Sequence, residues 1–376
     1  MIRWSFWLSA AAVIYAYGGY PLLVWIVARR RPAAALRHTA PPDLPAVTMI
    51  VPVHNEVARI ADKIANTRSL DYPRDALHVV FVSDGSSDGT VDAVRAASDE
   101  RIHLIELVER SGKAGALNAG LAFARTPLVV FSDASIALQP DAITAIVRPF
   151  TAPDIGCVSG EDRIEGSAGE GLYGRYEMFL RRQESRLGSI VGASGSFYAQ
   201  RRELCGEFPP NVAPDFLSVL RTVGQGFRAV SEASAVGYMT AVDDPRDEFA
   251  RKVRTILRGI TTLGQHLHLM NPLSYGWFAV ALVSHKVMRW LVPGFLMVML
   301  LASALLAGAP LYALVLVAQL AFYVLAYAAY RGSVPALLST AGRVASYFTA
   351  ANVATLVAWG KYFRGTRQEL WSPSRR

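Results

Sequence analysis

The chain has 376 residues, 52% hydrophobic and 18% charged, with a formal net charge of +8 and two cysteines. That apolar content is high for a soluble protein and its excess lies at the two ends, as in a membrane protein with a soluble centre, while Cys157 and Cys205 are too few and too isolated for a disulfide framework or a cysteine-ligated metal centre. The basic residues cluster beside apolar segments, at Arg29 to Arg31, Arg251 to Arg258 and Lys361 to Arg376, which fits an anionic lipid surface and argues against nucleic acid as a partner.

In chain order, Trp4 to Ala28 carries no formal charge and is long enough for a hydrocarbon core of about 30 Å. Because the apolar run is too long for a cleaved leader and ends in three arginines, residues 1–30 read as an uncleaved anchor. The positive-inside rule then puts the following chain in the cytoplasm. Residues 31–45, rich in Ala and Pro, read as a linker.

From 46 to 240 the pattern is α/β. Strands are expected at Val47–Val53, Val79–Val82 and Leu128–Phe131, alternating with helical patterns at 58–70, 90–98, 113–125 and 140–150. Each strand stops at polar residues: His54-Asn55-Glu56, Ser83-Asp84-Gly85 and Ser132-Asp133-Ala134-Ser135. Three buried strands thus carry acids to one rim of a parallel sheet, where open α/β sheets bind ligands. Ser87 or Asp88 is expected to cap the helix that begins at Thr90. Arg110 to Asn118 opens another helix with two glycines and Lys113, a grip suited to a diphosphate.

Further on, Gly171–Leu187 reads as a charge-rich helix, and small residues from Gly192 to Ser196 let backbone approach a ligand closely. Asp215 stands at the head of a helix, either as its N-cap or as a carboxylate facing the site. In Asp247 to Arg258 the bases fall on one side and Phe249, Val253, Ile256 and Leu257 on the other, so 241–272 reads as interfacial helices. His266 and His268, two apart on a helix, point away from each other and argue against a shared metal.

Residues 273–376 read as a C-terminal membrane region. Leu291 to Tyr330 is free of formal charge and broken at Ala307 to Pro310, as two spans joined by a tight outer turn. Val344 to Gly360 would leave a basic tail outside if it crossed, so a re-entrant or interfacial segment is expected. Spans without buried ionisable residues disfavour a transporter.

The ordered set Pro52-Val53-His54-Asn55-Glu56, Ser83 to Thr90, Gly112 to Asn118, Asp133-Ala134-Ser135 and Pro214-Asp215 resembles the family-2 glycosyltransferases. These are inverting enzymes of GT-A fold, and the flanking segments are similar to those of membrane-bound polysaccharide synthases in that family. The resemblance implies a nucleotide-sugar site that includes Pro52, Glu56, Asp84, Lys113 and Asp133, with Asp84 toward the nucleoside. It implies Asp133 as ligand of a divalent cation, Mg²⁺ or Mn²⁺, and Asp215 as the base. Arg251 and Arg254 fall where processive synthases carry Q-x-x-R-W and are expected to meet acceptor or phosphate.

The chain departs from the pattern at Ser83, Ser135, Pro214, Arg251 and Thr255. The expected function is transfer of a sugar from a nucleotide-diphosphate donor, with UDP the expected carrier, to a lipid-linked or polysaccharide acceptor at the cytoplasmic face of the cell (inner) membrane. The alternatives are a processive exopolysaccharide synthase coupled to export, with other synthase or export subunits as partners, and a catalytically inactive scaffold subunit.

Overall fold

The computed structural model describes residues 1–30, 43–165, 168–240 and 244–366. Most of the expected linker, and the basic tail beyond Thr366, lie outside the described residues. Eight strands form one mixed sheet: β1 (Val47–Val53), β2 (Leu77–Asp84), β3 (Ile102–Leu107), β4 (Leu128–Ser132), β5 (Ala137–Leu138), β6 (Ile155–Glu165), β7 (Phe197–Arg201) and β8 (Arg228–Thr240). Their order is β3-β2-β1-β4-β7-β6-β8-β5; the first four strands in that order run parallel, and β7 is antiparallel to both its neighbours.

The parallel strands are covered on both faces, which is why their sequences are continuously apolar. On β1, Val47, Met49, Val51 and Val53 enter one core with Ile60 and Ile64 of α2 (Val57–Arg68) and with α5 (Ala142–Val147). Ile50 enters the other, with Leu117 and Leu121 of α4 (Gly112–Phe123) and Phe216 and Leu220 of α7 (Pro214–Gly224). Gly120 permits this approach, since a Cβ there would come within 2.5 Å of Ile50. Expected helices and strands in this half recur within two or three residues, and α3 (Thr90–Ala97) closes it.

The α3 cap differs from expectation. The N-cap position is Gly89, but Asp88 accepts from the Thr90 N–H at 3.0 Å and from the Val57 N–H at 3.1 Å, tying together two helix starts.

α6 (Ala168–Leu187) returns across the domain, and α8 (Pro245–Gly264) follows β8, capped by Asp244, whose carboxylate accepts from Arg246 N at 2.7 Å. Val253, Leu257 and Ile260 of α8 pack on Ala354 and Ala358 of α11 (Ser339–Phe363). α11 runs alongside α8: Lys252 meets the Tyr347 ring at 4.3 Å, and Tyr362 meets Gly264. It is one unbroken helix of 25 residues, so of the re-entrant and interfacial alternatives expected for 344–360 the re-entrant hairpin is corrected, and the helix packs on α8 through Ala354 and Ala358.

Among the described residues three helices are long and apolar enough to cross a membrane: α1 (Ile2–Arg29), α9 (Pro272–Leu305), kinked at Gly276 where φ is 50°, and α10 (Pro310–Tyr330). α9 starts some twenty residues before the expected span and carries His285, Lys286 and Arg289. The expectation of spans without buried ionisable residues is therefore corrected. His285 is buried between Glu184, at 2.7 Å from Nδ1, and Glu177, at 3.0 Å from Nε2, and Arg289 pairs with Glu177. The Tyr20 hydroxyl donates to Glu184 at 2.7 Å, so α1, α6 and α9 meet in one polar knot.

Candidate active site

Asp133, Lys113 and Asp215 come together although they lie on three separate elements. Asp133 follows β4, and its N–H donates to Ser196 O at 2.9 Å, which fixes the loop after the strand. Lys113, in the first turn of α4, reaches Asp133 Oδ1 at 2.5 Å and Gly195 O at 3.1 Å. Asp215 is the second residue of α7, whose N-cap is Ala213; the reading of Asp215 as the cap is corrected. Residues 211–220 are buried except Asp215, which is half-buried and lines the cavity together with Ala213 and Pro214. Gly195 lies beside its carboxylate, and a Cβ there would sit in ordinary contact, 3.9 Å from Oδ2.

These three residues share one cavity of about 420 Å³, within the usual range for small-molecule sites. Glu56 and Ser135 also line it, and Pro52 walls a small niche beside Lys113, Asp133 and Asp215. Burial pushes the Glu56 carboxyl up, opposed by Arg59 at 3.6 Å. α8 supplies the far wall with Arg251, Arg254, Thr255 and Arg258. Arg251 is held by Glu248 at 2.6 Å. Burial lowers Arg254, with Arg251 adding to it, and burial with neighbouring Arg254 brings Arg258 down to about 10. The lining carries seven basic and five acidic side chains, an excess that favours an anionic ligand.

Asp84 is not among these walls. It is fully buried at the end of β2, where Ser111 N at 2.6 Å and Gly112 N at 2.9 Å donate to it from the start of α4. A carboxylate against the exposed N–H groups of a helix start is favourable, and here it aims α4, and with it Lys113. Gly112 makes the turn, with φ 77°.

Three contributors escape sequence reasoning. Arg181, from α6, donates to Ala193 O at 3.3 Å and reaches the cavity; Lys286 enters it from α9; Asp162 enters from β6, accepting from Ser194 Oγ at 2.6 Å. The only signal for Arg181 was the charge-rich helix itself, and nothing in the run around Lys286 marked it as facing a site.

Beneath the Asp133 loop, Lys63 of α2 is buried and donates to Ile136 O at 2.7 Å and Ser132 Oγ at 2.8 Å. Burial lowers it to about 7, with Asp133 opposing. Between about 7 and the ordinary lysine value of 10.5 the unfolded chain therefore holds more protons than the folded one, and stability rises with pH across that window. The melting temperature of the purified protein should show this rise and Lys63→Met should lack it; equal slopes for the two would contradict it.

Among the described residues no group of three or more His, Cys, Asp or Glu side chains converges to hold a metal. Asp133 and the Ser135 hydroxyl do offer hard oxygen donors on one loop, which suit Mg²⁺ or Mn²⁺ if a ligand's own oxygens complete the set.

Comparison with known proteins agrees with this geometry. The profile described as Glycosyl transferase family 2 matches residues 48–208. Poly-beta-1,6-N-acetyl-D-glucosamine synthase of Staphylococcus aureus (strain COL) is 26% identical over 165 residues, 41% of this chain and 39% of that protein. The Staphylococcus epidermidis protein of the same name is 26% identical over 161 residues. The chain thus spans about two fifths of the length of these curated relatives. A mannosyltransferase from Pyrobaculum calidifontis, solved in complex with GDP-Man and Mn²⁺, superposes with a TM-score of 0.73 at 28% identity, covering 95% of this chain and 99% of that one. With the ordered motifs and the mixed sheet, these matches show a family-2 glycosyltransferase domain of GT-A fold over residues 48–208.

Proposed function

We propose that the protein is an inverting glycosyltransferase that moves a sugar from a nucleoside-diphosphate donor, with UDP the expected carrier, to a lipid-linked or glycan acceptor at the cytoplasmic face of the membrane. The observation that carries this reading is the shared cavity of Lys113, Asp133 and Asp215, walled by basic residues of α8. Lys113, Arg254 and Arg258 attract the donor's diphosphate. Asp215 accepts the proton of the acceptor hydroxyl while that oxygen bonds to the anomeric carbon. The bond from that carbon to the diphosphate breaks on the opposite face, and its electron pair leaves with the nucleoside diphosphate. A divalent cation, Mg²⁺ or Mn²⁺, would be held by Asp133 and the donor, and when bound neutralises charge on the leaving group.

The test is release of nucleoside diphosphate by the purified full-length protein, with membrane lipid extract as acceptor source and a panel of UDP- and GDP-sugars as donors. Turnover of one donor well above the others is expected. No turnover with any donor would overturn the reading and leave a scaffold.

A further inference from the structure

Lys63 sits on α2 beside Ile60 and Ile64 of the core and is only 3% exposed. A methionine or leucine would fill that position, whereas an ammonium must give up its water shell to occupy it. Its two hydrogen-bond partners are neutral oxygens, Ser132 Oγ at 2.8 Å and Ile136 O at 2.7 Å. They stand at either end of Asp133-Ala134-Ser135, the turn between β4 and β5, and all three residues of that turn line the 420 Å³ cavity. One buried side chain thus ties both ends of the segment that carries Asp133.

The turn has little of its own to hold it. Its internal bond, from Ile136 N to Asp133 O, is long at 3.5 Å, and the Ser132 hydroxyl reaches Asp133 O only at 3.4 Å. The bond from Asp133 N to Ser196 O fixes one side alone. Nearly one helical turn further along α2, Asn66 takes both the N–H and the C=O of Leu138, at 2.9 and 2.7 Å, so the same helix also sets the strand beyond the turn. Asp133 is the single acid of the turn, bonded to Lys113 from the cavity side and within the field of Lys63 beneath. Ser135 adds an oxygen but no charge, so the grip of the turn on a diphosphate and its cation depends on where that one carboxylate is set.

We propose that Lys63 is a positioning residue for the donor: it clamps the Asp133–Ile136 turn so that the Asp133 carboxylate and the Ser135 hydroxyl face the diphosphate and its cation together. The inference rests on the proposed transferase reading and adds to it a residue that is not among the walls of the cavity.

The purified full-length protein is titrated calorimetrically with UDP and with GDP, each with and without Mn²⁺, and KM and kcat are measured with the donor that turns over. Lys63→Met should bind the nucleoside diphosphate with Mn²⁺ about 10-fold or more weakly and raise the donor KM to match, with kcat within about three-fold of wild type. The gain in affinity that Mn²⁺ gives wild type should shrink in the variant. Ser132→Ala added to Lys63→Met should cost little more, because the two residues act as one unit. Asn66→Ala loosens α2 from Leu138, outside the turn; it should lower the melting temperature yet leave nucleotide affinity within about two-fold. Should Lys63→Met not fold, Ser132→Ala alone removes one end of the clamp and should weaken binding about three-fold or more.

Wild-type affinity and KM in Lys63→Met, or in Ser132→Ala where that variant stands in for it, overturns the proposal. So does an equal loss in Asn66→Ala, which would mean that any loosening of α2 has the same effect. If wild type binds neither nucleotide and turns over no donor, the transferase reading itself fails and takes this inference with it.

Discussion

Asp215→Asn is expected to lower sugar transfer by roughly 10²- to 10⁴-fold, the usual contribution of a positioned general base. The amide keeps the size and the place of the carboxylate at the second position of α7, so the helix and the cavity walls persist. What is lost is the capacity to take a proton as the acceptor oxygen attacks. Donor affinity should stay within about two-fold, because the groups proposed to attract the diphosphate are Lys113, Arg254 and Arg258, not Asp215. The measurement is nucleoside diphosphate release with saturating acceptor, beside donor binding by calorimetry. A variant that keeps a substantial part of wild-type turnover would show that another group takes the proton; one that loses donor binding equally would recast Asp215 as a structural residue.

The second large effect concerns stability. Arg289→Ala removes the partner of the largely buried Glu177, where His285 and Glu184 continue the network. Burial pushes the Glu177 carboxyl up, but Arg289 and His285 outweigh it and hold it well below the usual carboxylate range. Breaking such a pair from one side typically costs about 3–5 kcal/mol, since the remaining charge is buried without compensation. The purified variant should melt well below wild type in the same detergent, and Glu177→Gln combined with Arg289→Met should recover part of the loss because no lone charge remains. Equal melting temperatures for wild type and Arg289→Ala would show that the knot is wetter than its packing indicates.

Much of the domain could be read without coordinates because its parallel strands are buried on both faces and so stand out as valine-rich runs ending in acids. β1, β2 and β4, and the helices between them, belong to this class. β6 and β8 do not: β6 carries Glu161, Asp162 and Arg163 in succession, and its pairing with β8 shifts register around Gly160. A Cβ at Gly160 would strike the Phe197 ring at 2.3 Å, a tertiary reason for glycine that no local pattern contains.

Within the site, Lys113, Asp133 and Asp215 were legible from motif spacing. Arg181 and Lys286 were not, because a half-buried arginine and an exposed one look alike in a charged helix, and a lysine at the head of an apolar run looks like a headgroup contact. Asp84 shows the converse. Its position in a motif is plain, but only the N–H groups of Ser111 and Gly112 reveal that its carboxylate is already satisfied.

The wall that α8 contributes has a consequence for how the chain divides. Ala213, the residue that starts the helix of Asp215, donates its N–H to Thr262 of α8 at 2.9 Å. A fragment ending at Thr240 would keep every motif acid yet leave the chamber roofless, with Arg251, Arg254 and Arg258 gone and α7 untethered. The α/β sheet and the helix that follows it are therefore not separable modules here: α8 is itself a wall of the chamber that holds Asp215.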